Sequence, residues 1–358
     1  LHDIQPPQGI YNSVKDWVEA NVESVSQGAV FKEIYPGTTF SRRLKRPPTR
    51  YPTILEGGSV GVIPNGRVWG LNGAIVTPDN HLIWDASLEF VHPRSNHSIF
   101  KEEILFPISQ HCELAADLTH VVGRNYYHWM YEVIPRIHLL RESGVPVERF
   151  IVKQEPDHLP FQSETLHHLG IMDDQLIKTY EGFHLQADRL VVPSQPAFAT
   201  KWGFDFLRRT FLIEDNQLTT ENKRIYISRK WSRIITNESD LWDLLKPYGF
   251  IKVELETLSV AEQARLFSTA EVIVGAHGAG LANLTFCRPD TKVIEIFTPT
   301  FITPLYWVIS SFGKLDHHYF IGHYGGPGPT QENRGWAGLD NITVNLRRFA
   351  AFMRNMKL

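Results

Sequence analysis

His128 and Glu132 stand four residues apart in the segment Asn125-Tyr-Tyr-His-Trp-Met-Tyr-Glu-Val-Ile-Pro-Arg136. On a helix that spacing puts an imidazole and a carboxylate on one face. Such a pair can move a proton, because an imidazole titrates near neutrality and a carboxylate can orient it or take the proton itself. An ordinary helix-stabilising ion pair is the plainer reading of the same spacing. Much later, Gly275-Ala-His-Gly-Ala-Gly-Leu-Ala-Asn283 follows the apolar run Glu271-Val-Ile-Val274. Glycines there let the backbone turn sharply after a buried strand and approach a bulky ligand. The residues that follow, Leu281 to Phe286, can open a helix whose free N–H groups suit a phosphate. Upstream, the strand-like Lys223-Arg-Ile-Tyr-Ile-Ser228 delivers Arg229, Lys230 and Arg233 at its carboxyl end. Guanidinium forks match pyrophosphate oxygens. Taken singly, these are a tight turn and a solvated basic loop; together in one α/β unit they point to a nucleoside diphosphate.

Those groups need elements to hold them. Residues 55 to 106 alternate apolar stretches, such as Ala74-Ile-Val76 and His81-Leu-Ile-Trp84, with turns at Asn65-Gly66, Asn72-Gly73 and Pro78-Asp-Asn80. That pattern predicts an antiparallel β-rich section. From about residue 117 helices alternate with strands. One helix over roughly 125 to 142, kinked at Pro135, carries the His–Glu pair. Strands at 149–152 and 189–192 frame another helix near 161–169. After Pro193-Ser-Gln-Pro196 a polar, helical stretch to about 222 reads as an inter-domain connection. Beyond it, a helix begins at Asn237, a residue type that caps helices, and stops at Gly249. A strand at 251–254 and a capping-box helix start at Ser259 to Glu262 follow. Strands at 272–274 and 292–297 bracket the glycine turn. The alternation implies a doubly wound parallel sheet. A last helix, about 346 to 356, has Leu346, Phe349, Ala350 and Met353 on one stripe.

A chain of 358 residues is long for one core, so two domains are expected. Hydrophobic residues at 42% and charged residues at 21% describe an ordinary globular protein. A formal net charge of −3 gives no reason to expect a nucleic acid or an anionic membrane as partner. Only Cys112 and Cys287 are present, with no Cys-x-x-Cys, which speaks against a zinc site or a disulfide scaffold. No apolar run is long enough to encode a membrane span. A bacterial cytoplasm, with a peripheral place at the membrane, is the expected location. The Asn-x-Ser/Thr sites at Asn96, Asn237, Asn283 and Asn341 read as chance matches.

Ile227-Ser-Arg-Lys-Trp-Ser-Arg-Ile-Ile-Thr-Asn-Glu238, the glycine segment 275–283 and Val293-Ile-Glu-Ile-Phe297 together resemble glycosyltransferase family 61, as does Asn125-Tyr-Tyr-His upstream. The family includes plant xylan glycosyltransferases, animal secretory-pathway O-GlcNAc transferases and bacterial polysaccharide enzymes. The resemblance covers roughly residues 55 to 355. It implies an α/β fold of GT-B type: two Rossmann-like domains facing a cleft, with a β-rich N-terminal section. It assigns residues 1–200 to an acceptor-binding domain and 201–340 to a nucleotide-sugar domain. Residues 341–358 become a helix packing back on the N-terminal domain.

The implied activity is inverting, metal-independent transfer from a UDP-sugar to a hydroxyl of a glycan acceptor, in cell-surface or extracellular polysaccharide synthesis. No cofactor is implied beyond the donor substrate. No Asp-x-Asp motif occurs to hold a metal. The family commonly has an acidic residue four positions after the motif histidine, which favours Glu132 as base with His128 orienting; the reverse assignment stays open. Donor contacts are expected from Ser228, Arg229, Arg233, Gly275, His277, Gly278, Ala279, Gly280, Asn283 and Glu295, the last on the ribose. Asn125 and Arg136 are expected to frame the acceptor, and His317 and His318 to be structural. A non-catalytic nucleotide- or glycan-binding protein is the alternative. A dinucleotide-dependent oxidoreductase is weaker, because the glycine order is wrong and the loop comes late in the chain.

Overall fold

A computed structural model describes residues 3–21, 23, 26–40, 47–51, 53–153, 159–212, 222–328 and 337–358. The chain forms two compact units: Leu1–Thr39 with Ile54–Gly203, and Phe40–Thr53 with Phe204–Leu358.

The first unit is built on a nine-stranded mixed sheet among the described residues. Its strands are β1 (Gly9–Tyr11), β2 (Val30–Tyr35), β3 (Gly58–Trp69), β4 (Ala74–Val76), β5 (His81–Ile83), β6 (Gln110–Asp117), β7 (Phe150–Val152), β8 (Leu176–Lys178) and β9 (His184–Pro193). They lie in the order β1-β5-β4-β3-β9-β6-β7-β8, with β2 also on β3. The turn-rich stretch supplies the antiparallel half, β3 against β4 and β4 against β5. The helix–strand alternation supplies the parallel half, β9, β6, β7 and β8. Within that half the first strand in sequence, β6, lies between the second and the fourth. Chain order therefore reverses at the carboxyl end of β6, the place where open α/β sheets receive ligands. Ile63, Val68, Ile75, Ala115, Ile151, Leu185 and Leu190 fill the core, with Trp17 from α1 (Val14–Ala20) beneath them.

After β6 comes a helical run of three parts: α2 (Tyr126–His128), a π-turn over Trp129–Val133, and α3 (Ile134–Ser143), ended by Gly144 at φ 77°. The expected single helix is thus present with a widened turn in its middle. Pro135 is the local cause: with no N–H it cannot bond the carbonyl four residues back, and the wider turn accommodates the gap. All five π-turn residues are buried. The helix expected near 161–169 is α4 (Pro160–His168). The polar stretch after Pro196 contains α5 (Lys201–Phe211), and its residues 213–221 lie outside the described set.

The second unit carries a five-stranded, fully parallel sheet: β10 (Lys223–Ile227), β11 (Phe250–Val253), β12 (Ala270–Ala276), β13 (Lys292–Phe297) and β14 (Asp316–Ile321). The order is β11-β10-β12-β13-β14, so this sheet too reverses, between β10 and β12. Ile227 pairs with Gly275, which makes the chains after β10 and β12 leave the sheet side by side. Val272, Val274, Ile294 and Ile296 form the core with Leu241 and Leu245 of α6 (Glu238–Leu245). The helix α7 (Val260–Ser268) starts with the expected capping box: Ser259 Oγ accepts from the Glu262 N–H, and Glu262 accepts from the Ser259 N–H. The helix α8 (Leu305–Gly313) precedes β14.

The last helix, α9 (Leu346–Asn355), buries its stripe residues Phe349 and Met353 in the second unit's own core. Burying two such side chains contributes roughly 1.5–3 kcal/mol each, which accounts for where the stripe goes. Asn237 precedes α6 but makes no side-chain cap. Its amide instead brackets Val344, donating to the carbonyl at 2.8 Å and accepting from the N–H at 2.9 Å.

Candidate active site

In the first unit, the carboxyl end of β6 and the helical run after it bring three side chains onto one atom. Glu132 Oε2 lies 2.7 Å from His128 Nδ1, a hydrogen bond, and 2.7 Å from His120 Nε2, a close approach less well aligned. The two imidazole rings stack with centroids 5.5 Å apart. The Glu132 side chain is 5% exposed and that of His128 28%, so His128 is the member that meets solvent. Burial alone would push the Glu132 carboxyl up, but the His120 and His128 contacts outweigh it and hold the group below its usual range. Burial pushes the His120 imidazole down.

The backbone fixes which nitrogen of His120 carries the proton. Val122 donates its N–H to His120 Nδ1 at 3.2 Å, so in the neutral ring Nε2 is the protonated nitrogen and faces the carboxylate. This bears on metal binding. His120, His128 and Glu132 bring their ligand atoms within 4.8 Å of one another. A His120 whose free lone pair is already engaged at Nδ1 offers none at Nε2, where a cation would need it. The donor set fits shared protons better than a metal ion.

Arg136 holds this arrangement from below. Glu132 and Arg136 follow His128 at four-residue steps, so all three lie along one side of the helical run. The guanidinium donates to the Thr119 carbonyl at 2.8 Å, the Asp117 carbonyl at 2.9 Å and the Asp117 carboxylate at 2.7 Å. Both Arg136 and Asp117 are completely buried. Arg136 therefore does not frame an acceptor as expected; it pins the end of β6 from which His120 projects. Asn125 stands at the start of the helical run. Its side chain accepts from the Tyr127 N–H at 2.9 Å and caps α2.

In the second unit the residues expected to meet an anion come together where β10 and β12 diverge. A Cβ on Gly278 would fall 1.6 Å from Arg229 Nη1, so a side chain there would displace the guanidinium from its present position. Arg229 is half-buried and braced by Ser232, through the carbonyl at 2.8 Å and the hydroxyl at 3.2 Å. Arg233, at φ 54°, donates Nε to the His277 carbonyl and Nη1 to the Gly338 carbonyl, each at 2.7 Å. Among the described residues no carboxylate lies within ion-pair distance of either guanidinium. Burial, and repulsion from Arg229, push Arg233 down to about 10; burial also lowers Arg229. The two guanidiniums are thus partly desolvated cations whose acidic neighbours, Glu256 for Arg229 and Glu295 for Arg233, act from beyond ion-pair distance. The segment after Gly278 is a 3-10 helix, Ala279–Phe286, not the α-helix foreseen. Its first described backbone bond runs from the Leu281 N–H to the Gly278 carbonyl, leaving the N–H groups of Ala279 and Gly280 ahead of it.

Four further expectations fall differently. Glu295 is completely buried between His277 Nδ1 at 2.5 Å and His317 Nε2 at 3.1 Å, so it is not placed to take a ribose. His277 is sealed with it, packed against Phe297, Phe301 and Tyr306; it serves the site through the carbonyl that holds Arg233. Asn283 is fully buried and donates to Gln263 Oε1 at 2.7 Å. Ser228 gives its hydroxyl proton to Glu238 at 2.7 Å. Gly275 packs on Ile227 and Gly280 on Leu255, so both allow close packing. His317, bonded also to Ser310 at 2.8 Å, is structural as expected. Sequence reasoning missed His120 and Tyr306. His120 follows a strand that ends in Asp117, and that position at a β–α turn was the available signal. Tyr306 is buried beside both guanidiniums, and nothing local marks it.

The model of the glycosyltransferase 61 family matches residues 126–294, just under half of the chain. Among curated relatives, a β-1,2-xylosyltransferase of Oryza sativa subsp. japonica is 32% identical over 92 residues, covering 24% of this chain and 17% of that protein. A β-1,2-xylosyltransferase of Arabidopsis thaliana is 36% identical over 64 residues, or 18% and 12% of the two chains. A protein O-linked-mannose β-1,4-N-acetylglucosaminyltransferase 2 of Xenopus tropicalis is 31% identical over 121 residues, or 32% and 21%. The chain thus aligns with about a fifth or less of the length of each. The matched region contains His128, Glu132, Arg229, Arg233 and the glycine loop, and over it the chain's likeness to glycosyltransferase family 61 is established.

Proposed function

We propose that this chain is a glycosyltransferase of GT-B type that moves a sugar from a UDP-sugar to a hydroxyl of a glycan acceptor, with inversion and without a metal. The observation that carries the reading is the place of Arg229: a guanidinium with no carboxylate within ion-pair distance among the described residues, seated against Gly278 of the glycine loop, at the reversal point of a parallel sheet. In this reading the two units are the two GT-B domains, with donor chemistry on the second and acceptor chemistry on the first. The acceptor oxygen attacks the anomeric carbon, the bond from that carbon to the diphosphate oxygen breaks, and the leaving UDP keeps the electron pair. Arg229 and the leading N–H groups of Ala279 and Gly280 answer that charge. The acceptor's proton goes to the His128–Glu132 pair. Of the two assignments, the geometry favours His128 Nε2 as the proton's destination, since Glu132 is buried, already shared by two imidazoles and held at low basicity.

The test is calorimetry with UDP on the native chain and on Arg229→Ala. Binding by the first and a loss of at least about tenfold in the second are expected, in line with a lost charge-assisted contact. Equal affinity in both would overturn the reading. The names of the relatives make UDP-xylose and UDP-N-acetylglucosamine the first donors to try. Transfer that persists in a chelator supports the metal-free mechanism; strict dependence on manganese would refute it.

A further inference from the structure

We infer that His120 is a third, positioning member of the proton-handling pair: its Nε2–H holds Glu132 as a fixed carboxylate, so that His128 alone cycles a proton. The inference rests on the proposed reaction for its purpose but on local geometry for its substance. His120 stands at the carboxyl end of β6, its side chain fully buried, with Nε2 2.7 Å from the same carboxylate oxygen that His128 contacts. The Val122 N–H at Nδ1 decides its tautomer. Arg136 decides its location by clamping Asp117 and Thr119 immediately before it. The ring stacks on His128 and so also fixes that imidazole's plane.

The charged groups facing Glu132 are His120 from the strand end and His128 from the helix, with Arg136 acting on His120 from the next helical turn. A carboxylate with an imidazole nitrogen from each of two rings 2.7 Å away is less basic than one with a single such neighbour. Removing His120's donor therefore leaves a more basic Glu132–His128 pair. The proton that His128 takes from an acceptor would then be released less readily, because a more basic carboxylate beside it holds the imidazolium more tightly.

Two variants separate this from mere packing. His120→Leu keeps bulk and removes the donor; His120→Gln keeps an N–H donor at nearly the same reach. Imidazole nitrogen NMR on selectively labelled protein follows the His128 titration in each and needs no substrate. Expected is a rise of about one pKa unit in His120→Leu, with His120→Gln returned toward the native value. The acid limb of kcat/KM, measured with whichever UDP-sugar is turned over, moves up by the same amount. An unshifted His128 titration in a folded His120→Leu, or a Gln variant indistinguishable from Leu, would overturn the inference. If His120→Leu does not fold, the native titration decides: His120 must stay neutral with its proton on Nε2 while His128 titrates, and a His120 protonated on Nδ1 refutes the role. Absence of any UDP-sugar turnover would sink the proposed reaction, while the tautomer and titration of His120 and His128 seen by NMR would still decide the positioning role.

Discussion

Two carboxylates in this molecule each hold two imidazoles, and they do so to different ends. Glu132 takes His120 and His128 at the end of β6; Glu295 takes His277 and His317 within the second sheet. The donors are the same in kind and the distances similar. The surroundings differ. Glu295 is fully enclosed, and there burial prevails over the His277 contact, pushing its carboxyl up. Its partner His317 is pushed down to about 3 by the same burial, so it stays neutral. At Glu132 the imidazole contacts prevail and the carboxyl is held low, while one ring, His128, reaches solvent. A triad with a low carboxyl and an open imidazole can exchange a proton with a ligand. A sealed triad can only hold parts together, here the glycine loop, β13 and β14.

The largest expected effect breaks the first triad. Glu132→Gln keeps the shape and removes the charge, so turnover of the matched donor and acceptor should fall by ~10²–10⁴-fold, the usual share of general acid–base catalysis. UDP affinity, read by calorimetry, should stay as in the native chain. Full transfer in this variant would remove Glu132 from the mechanism. The second triad predicts the reverse profile. Glu295→Gln should lower stability in urea by about 1–3 kcal/mol, since two buried imidazoles lose a common acceptor, while leaving turnover per folded molecule with saturating donor near native.

Acidification sharpens the contrast, because the two carboxyls are shifted in opposite directions. Glu132 lies below its unfolded value, so its contribution is fully present above the unfolded pKa, about 4.5, and is lost as pH falls through the lower folded value. The stability deficit of Glu132→Gln against the native chain should therefore shrink below about pH 4.5. Glu295 lies above its unfolded value, so its charged form opposes folding at neutral pH and protonation relieves that. The native chain should gain on Glu295→Gln as pH falls from neutrality toward about 4.5. Melting temperatures of the three proteins at a few pH values check both signs; parallel curves would mean the two sites are electrostatically alike.

The same contrast explains what could be read in advance. Strand–helix alternation located β10 to β13 because buried parallel strands are continuous apolar runs, whereas β14 (Asp316–Ile321) was not foreseen. The spacing of His128 and Glu132 foretold their meeting because a helix fixes neighbours four residues apart. The proximity of Arg229 to the glycine loop was legible since both lie at carboxyl ends of neighbouring strands. What could not be read was the second partner of each polar group. Glu295, Asn283, Ser228 and Arg136 looked available from their local contexts, yet His317, Gln263, Glu238 and Asp117 occupy them. Those partners are distant in sequence or on the far side of an element, and local periodicity carries no register between them. His120 was missed for the same reason: its importance lies in which strand end it occupies beside which helix.

The smallest effect concerns the start of the helical run that carries His128. Asn125 was expected near the acceptor, and the structure makes it the cap of α2. Asn125→Ala should cost about 1 kcal/mol, the typical value for a lost N-cap. Asn125→Asp, which keeps an accepting oxygen and adds a favourable charge at a helix start, should restore it. Neither change touches the carboxylate triads, so both variants should turn over with native KM for the acceptor once folded. A raised acceptor KM in Asn125→Ala that Asn125→Asp does not correct would return this residue to the acceptor's side, and would extend the open, reactive region of the first unit one turn beyond His128.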